Sequence, residues 1–261
     1  MTMRLNDKMI NKVVIPAAGL GTRFRPATQF IPKELIPVLN VPALTHTANE
    51  AIQSGIREII IINSKTKPLL SEWISRFNTE HQSEGVSAIE LTQEFPLGLG
   101  HAILQAKQAV GMEAFGIMLP DDIIFSKPPA LKRMIELHYQ LRGSILCVKE
   151  NPINLIKNYG VIEPHGNKVA GIIEKPDPHD APSQFCALGR YILEPEIFNY
   201  LEKAKPSVNN EIQLTDSLNA MMGDQDFFHY IVEGHHFDIG TPPGLISASI
   251  FASQNPNLII G

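Results

Sequence analysis

Cysteine occurs only twice in these 261 residues and tryptophan once. Cys147 and Cys186 sit in separate apolar, strand-like stretches, so a disulfide framework is excluded, and no Cys/His spacing of a zinc site exists. A reducing compartment is expected. No apolar run approaches the ~18–20 residues of a membrane span, and the longest aliphatic tract, residues 59–62, is strand-sized. The opening MTMRLNDKMINK has no signal-peptide core and no stop-transfer run. We therefore expect a cytoplasmic protein with no membrane partner. Excess charge of one sign is missing too: 22 Lys and Arg against 27 Asp and Glu leave a net charge of −5. That balance argues against nucleic acid as a partner, and an anionic substrate would need cations gathered locally. Internal repeats, low-complexity tracts and flexible linkers are likewise absent.

What is present is a globular composition, 44% hydrophobic and 19% charged, on a chain able to bury roughly three quarters of its unfolded surface. Residues 12–17 are an apolar run breaking into a Gly-rich loop, as a buried parallel strand does at a sheet edge. Leu44, Ala48, Ala51 and Ile52 recur at helical spacing, Gly55 stops them, and residues 58–63 read as a strand. Pro68 opens a helix with Leu69, Leu70, Trp73, Ile74 and Phe77 on one face. The alternation continues through strand 87–92, helix 101–110, strand 114–119, a helix after Pro128 and Pro129, and strand 144–149. This predicts an α/β fold: a mostly parallel, Rossmann-like mixed sheet with helices on both faces.

After Asn151 the texture changes. Residues 159–163 and 168–174 are strand-like around the turn His165-Gly166-Asn167, predicting a smaller antiparallel β region. Strand 185–193, helices from Pro195 and near 211–222, strands 227–232 and 237–239 and a helix from Pro242 complete the pattern. We read one domain over residues 1–261, with halves at about 12–150 and 151–245 and a C-terminal helix and tail at 246–261.

The loop Ala17-Ala18-Gly19-Leu20-Gly21-Thr22-Arg23 follows a strand, and its small residues let backbone N–H groups approach phosphate oxygens closely. It lacks the third glycine of a dinucleotide fingerprint, and no G-K-[S/T] of a Walker A loop exists, so NAD binding and ordinary ATPase chemistry lose support. The glycines alone fit a plain β-turn-α connection equally well. Arg23 and Lys33 add two cations beside this nest. Arg25 and Gln29 read as solvated.

The run from Ala17 through Gly-Leu-Gly-Thr-Arg-Phe-x-Pro-Ala-Thr-x-x-Ile-Pro-Lys33-Glu34 resembles the signature of bacterial UTP-glucose-1-phosphate uridylyltransferases, within the sugar nucleotidylyltransferases. Further segments agree in order: Pro96 to Ala102, Leu119-Pro120-Asp121-Asp122, Tyr159-Gly160-Val161 with Ile173-Glu174-Lys175-Pro176, Ala181 to Tyr191, Glu211 to Asp216, and Phe237-Asp238-Ile239-Gly240. The chain departs from the pattern in a shorter 64–93 region, a brief tail after Gly244, and Gln29 where a basic residue is common. Thr241-Pro242-Pro243-Gly244 is similar to thymidylyl enzymes as much as to uridylyl ones, which leaves the base open.

The resemblance implies transfer of UMP from UTP to glucose-1-phosphate, giving UDP-glucose and pyrophosphate, with another sugar nucleotidylyl transfer as the alternative. A non-catalytic nucleotide-sugar-binding regulator is the reading from another class. It implies backbone contacts to the nucleotide from Ala17, Ala18, Gly19, Gly21 and Thr22, and base reading by Gln93 and Gly98. Arg23 and Lys33 would serve the triphosphate and leaving pyrophosphate, and Lys175 the sugar phosphate. Gly160, Glu174 and Gly189 would meet sugar hydroxyls. Asp121 and Asp238, each ending an apolar strand, would bring two carboxylates to one sheet edge, a donor set suited to Mg2+. Alone, either aspartate reads as a turn residue, and Glu174-Lys175 as an exposed ion pair. Asp122 points elsewhere on its strand, His101 is a helix N-terminal residue, and the adjacent His235 and His236 face opposite sides and read as solvent histidines. A homo-oligomer, dimer or tetramer, is implied by the resemblance alone.

Overall fold

The computed structural model describes residues 9–207 and 210–259. Most of the opening segment, on which the expectation of no signal peptide rests, therefore lies outside the described residues. In chain order the elements are β1 (Lys12–Pro16), β2 (Pro37–Val38), β3 (Val41–Pro42), α1 (Ala43–Gln53), β4 (Glu58–Asn63), α2 (Pro68–His81), β5 (Ser87–Thr92), α3 (Leu99–Leu104), α4 (Lys107–Val110), β6 (Phe115–Met118) and β7 (Asp122–Phe125). There follow α5 (Ala130–Leu141), β8 (Ser144–Glu150), β9 (Gly160–His165), β10 (Lys168–Glu174), β11 (Phe185–Leu193), α6 (Ile197–Lys203), α7 (Leu214–Met222), β12 (Phe227–Ile231), β13 (His235–Asp238) and α8 (Pro242–Gln254).

A nine-stranded sheet runs β5-β4-β1-β6-β11-β8-β12-β10-β9. Its first four strands and the β8–β12 pair are parallel, while β11 is antiparallel to both β6 and β8. The expected antiparallel region is the β9–β10 hairpin, and it belongs to this same sheet, with β9 also touching β11 at Val161 and Cys186. Side chains of a strand alternate faces, so a strand covered on both sides must be apolar at every position. That is what the interiors of β1, β4 and β8 supply. Val13, Ile15, Ile59, Ile61, Ile145 and Cys147 pack toward α1, α2 and α5, and Val14, Ile60, Ile62, Leu146 and Val148 pack toward α3, α6 and α7.

β7 and β13 form a separate antiparallel ribbon, held by Ile123, Phe125 and Ile239 against Ala248 and Ala252 of α8. Its register sets Asp238 opposite Asp122. β7 was not anticipated: Asp121-Asp122 read as the end of one strand, whereas a turn there starts the next. The expected helix over 101–110 begins earlier and is divided, with α3 and α4 separated by a turn. The expected helix near 211–222 begins only at Leu214, because Ile212 is held extended: its N–H donates to Leu97 O at 2.8 Å and its carbonyl accepts from Gly100 N at 2.9 Å. A side chain at Gly98 or Gly100 would meet that Ile212 carbonyl at 2.8 Å. Leu69 lies at the surface, 36% exposed, so the buried stripe of α2 is Leu70, Ile74 and Phe77.

Candidate active site

β1 ends at the C-terminal edge of the parallel strands, where crevices form outside strand ends. The loop after it closes on itself: Gly21 adopts φ +63°, and Thr28 Oγ1 donates to Gly21 O at 2.8 Å. Ala18, Gly19, Gly21, Thr22, Arg23 and Lys33 line a cleft faced by Gln93, Gly98 and Asp121. Ala17 is fully buried; its N–H donates to Ile62 O at 2.8 Å and its carbonyl accepts from Lys67 Nζ at 2.7 Å. It stands directly beneath the cleft-lining Ala18. The amide nitrogen of Gln93 lies 3.1 Å from Gly98 O and 3.0 Å from His101 Nδ1, so His101 fixes a cleft residue.

A second cleft opens from the first, sharing Arg23, Leu99, Leu119 and Asp121 and continuing along Gly160, Glu174, Lys175, Gly189, Tyr191, Thr215 and Asp238. Glu174 and Lys175 do form an exposed pair, 3.4 Å apart, and they also line this cleft. Lys175 takes φ +46°, which turns the chain at the end of β10, and Thr215 Oγ1 donates to Glu174 Oε2 at 3.0 Å. Gly189 allows a close approach here: a side chain there would run into Asp122 Oδ2 and lie 2.5 Å from Leu119 Cβ. Gly189→Ala is therefore expected to destabilise the fold by about 1–3 kcal/mol, the usual cost of overpacking. Chemical denaturation measures it, and an unchanged midpoint would mean that the strand shifts freely.

The acidic residues meet where the clefts join. Asp238 Oδ1 lies 2.9 Å and Asp121 Oδ2 3.2 Å from the point where a Gly240 side chain would begin, and an Arg23 nitrogen is 3.6 Å from it. Lys33 Nζ is 2.5 Å from Asp121 Oδ2. Burial is the largest single influence and opposes the charge on both, but their mutual attraction and hydrogen bond, helped by Glu34 at Lys33 and by Arg23 at Asp121, together prevail: the Lys33 pKa is raised and the Asp121 pKa lowered from their ordinary values. At Asp238, burial with the charges of Asp122 and Asp121 outweighs the Gly240 N–H and Arg23 and raises its pKa. Two hard carboxylate oxygens facing one space, in a field that already disfavours another negative charge, fit a divalent cation completed by phosphate and water. No group of three or more His, Cys, Asp or Glu arranged as a metal cage occurs among the described residues.

Asp122 lines the second cleft together with Asp121, and its partner corrects the histidine reading. His236 Nε2 is 2.6 Å from Asp122 Oδ1, with its side chain 4% exposed, so only His235 faces solvent. Strand alternation gave the opposite faces but not which face was inward. Sequence reasoning also passed over Lys67 and the pair Glu50–Arg190, since no spacing rule marks a buried charge before its partner is known. Arg190 Nη1 donates at 3.0 Å to the carbonyls of both Leu119 and Gly189.

Residues 12–255 match the family described as nucleotidyl transferase. A UTP–glucose-1-phosphate uridylyltransferase of Staphylococcus epidermidis is 35% identical over 274 residues, spanning 96% of this chain and 95% of that protein. One from Streptococcus pyogenes is 36% identical over 276 residues, spanning 95% and 92%. Among solved structures, a UDP-glucose pyrophosphorylase complexed with UDP-glucose superposes with a TM-score of 0.88 at 33% identity, covering 95% of this chain and 100% of that one. Matched along nearly its whole length, this chain belongs to the nucleotidyl transferase family, among the UTP–glucose-1-phosphate uridylyltransferases.

Proposed function

We propose that the chain transfers UMP from UTP to glucose-1-phosphate, with Mg2+ as the metal, by in-line displacement. The observation that carries this is the junction of two clefts at Arg23 and Asp121, with the Asp238 carboxylate facing the same space from the second cleft. A phosphate-sized nest lies on one side and a carboxylate with a lysine on the other. In the reaction a sugar-phosphate oxygen bonds to the α-phosphorus of UTP as the bond to the bridging oxygen of pyrophosphate breaks; no covalent enzyme intermediate is needed.

The N–H groups of Ala18, Gly19, Gly21 and Thr22 receive the triphosphate, and Arg23 neutralises its outer phosphates. Lys33 exchanges Asp121 for the departing pyrophosphate, where its positive charge offsets the growing negative one. Lys175 holds the sugar phosphate, and Glu174, kept in place by Thr215, accepts from sugar hydroxyls alongside the backbone of Gly160 and Gly189. Gln93 and Gly98 meet the base edge. Asp121 and Asp238 would hold Mg2+, whose chemistry is to neutralise phosphate charge and align the two substrates. In this reading residues 12–150 serve the nucleotide and 151–245 the sugar.

A matrix of UTP, dTTP and other NTPs against several hexose 1-phosphates, followed by pyrophosphate release with and without Mg2+, tests the proposal. UTP with glucose-1-phosphate should give the highest kcat/KM. Preference for dTTP would move the base assignment, and no sugar-dependent release from any NTP would leave only a nucleotide-sugar-binding regulator. Among the described residues no helix is long and apolar enough to cross a membrane, and we place the activity in the cytoplasm. A homo-oligomer belongs to the same proposal, and light scattering of the purified chain checks it.

A further inference from the structure

We infer that Lys67 and Glu34 are positioning residues that set the nucleotide nest and the pyrophosphate-binding lysine at a fixed separation. The inference rests on the nucleotide-binding reading above. Lys67 sits in the turn between β4 and α2, where its N–H donates to Ser64 O at 3.0 Å and its carbonyl accepts from the Asn63 amide at 3.2 Å. From this anchored backbone the side chain runs inward until it is only 8% exposed. Its ammonium meets Ala17 O at 2.7 Å and the two carboxylate oxygens of Glu34 at 3.1 and 2.9 Å. An ammonium has three protons, and all three have acceptors.

The connectivity is what gives this contact a role. Ala17 is one residue before the cleft-lining Ala18, and Glu34, 2% exposed, is one residue after Lys33. These two arms come from separate turns of the chain, yet both must contact one triphosphate. Lys67 joins them from below, while Ala17 N–H pins the same spot to β4 through Ile62. Glu34 also stands between two ammonium groups, its charge attracting both Lys33 and Lys67. Burial pushes the Glu34 carboxyl up and the Lys67 amine down. A buried pair bears a desolvation cost comparable to its attraction, so an apolar pair would hold the fold as well. What an apolar pair cannot do is hydrogen-bond the Ala17 carbonyl and orient the residue after it.

The double variant Glu34→Gln/Lys67→Met tests this, because it leaves no unpaired buried charge. Calorimetry with UTP alone reads the nest, and steady-state kinetics read each substrate separately. The thermal midpoint should stay near that of the parent. UTP binding should weaken about 10- to 100-fold, the scale of a small misplacement, with the glucose-1-phosphate KM shifted less than about threefold. UTP binding within about twofold of the parent in the folded double variant would overturn the inference, as would an equal rise in both KM values with a collapsed midpoint. Should the double variant not fold, Glu34→Asp carries the same test. It keeps the counter-charge of Lys67 and the Lys67 bond to Ala17 but shortens the Glu34 arm by one methylene, and the same split between the substrates is expected, only smaller. Failure of the unsubstituted chain to bind UTP is a separate result that strikes the transferase reading itself and takes this inference with it.

Discussion

Asp121→Asn and Asp238→Asn should each lower turnover at least about 100-fold while the chain still folds, the loss typical of removing an electrostatic stabiliser from a reacting centre. Asparagine keeps the shape and removes the charge, so the change isolates what a carboxylate does at the junction of the two clefts. The two variants should part in stability. Asp238 has a raised folded-state pKa, from burial and from Asp122 and Asp121, so its ionised form is disfavoured by folding at neutral pH. Neutralising it should leave the thermal midpoint unchanged or higher. Asp121 has a lowered pKa because Lys33, backbone hydrogen bonding and Arg23 together outweigh burial; its contribution to stability is present above the unfolded carboxylate pKa and lost as pH falls through the folded one. Asp121→Asn should therefore lower the midpoint at neutral pH and shrink the difference from the parent in acid. Near-normal turnover in both variants would remove the metal assignment, whatever the midpoints do.

The parallel part of the fold was legible because its signals are local. Strand 58–63 was read to the residue as β4, since four consecutive isoleucines bounded by Gly55 and a polar turn leave little choice once both faces are buried. The β9–β10 hairpin followed from its Gly166-Asn167 turn in the same way. Reading failed where a distant partner decides the outcome. Ile212 is extended because Leu97 and Gly100, more than a hundred residues earlier, take its backbone groups before the helix can, and β7 exists because β13 pairs with it. The site shows the same division. Gly19, Arg23, Lys33, Asp121, Glu174, Lys175 and Asp238 could be named from motifs, and they line the two clefts. That Lys33 rests on Asp121, that His236 turns inward to Asp122, and that Ala17 is covered by Lys67 are facts of long-range packing, which no spacing in the chain encodes.

Arg190→Met should cost about 3–5 kcal/mol of stability, the largest effect expected of any single change outside the clefts, because it leaves a buried carboxylate without its counter-ion. Arg190 is 1% exposed and Glu50 3%. Two guanidinium nitrogens hold Glu50 Oε2 at 3.1 and 2.8 Å, while Glu50 Oε1 accepts from Leu131 N at 3.3 Å, so the pair also ties α1 to the start of α5. The third nitrogen satisfies the carbonyls of Leu119 and Gly189, and methionine can replace none of these bonds. For a chain of this size the loss corresponds to a midpoint lowered by roughly 6–20 °C. Removing the partner charge as well, in Glu50→Gln/Arg190→Met, should recover part of it, because the stranded carboxylate is the larger share of the cost and only neutral groups, the two carbonyls and the new amide N–H groups, stay unpaired. The pair does more than hold helices together. Leu119 leads through Pro120 into Asp121, and Gly189 faces the sugar-side cleft, so the double variant should recover stability faster than activity. A loss below about 1 kcal/mol in the single variant would mean that water reaches Glu50 and the pair is not closed. Equal recovery of stability and turnover in the double variant would instead separate this arginine from the geometry of the site.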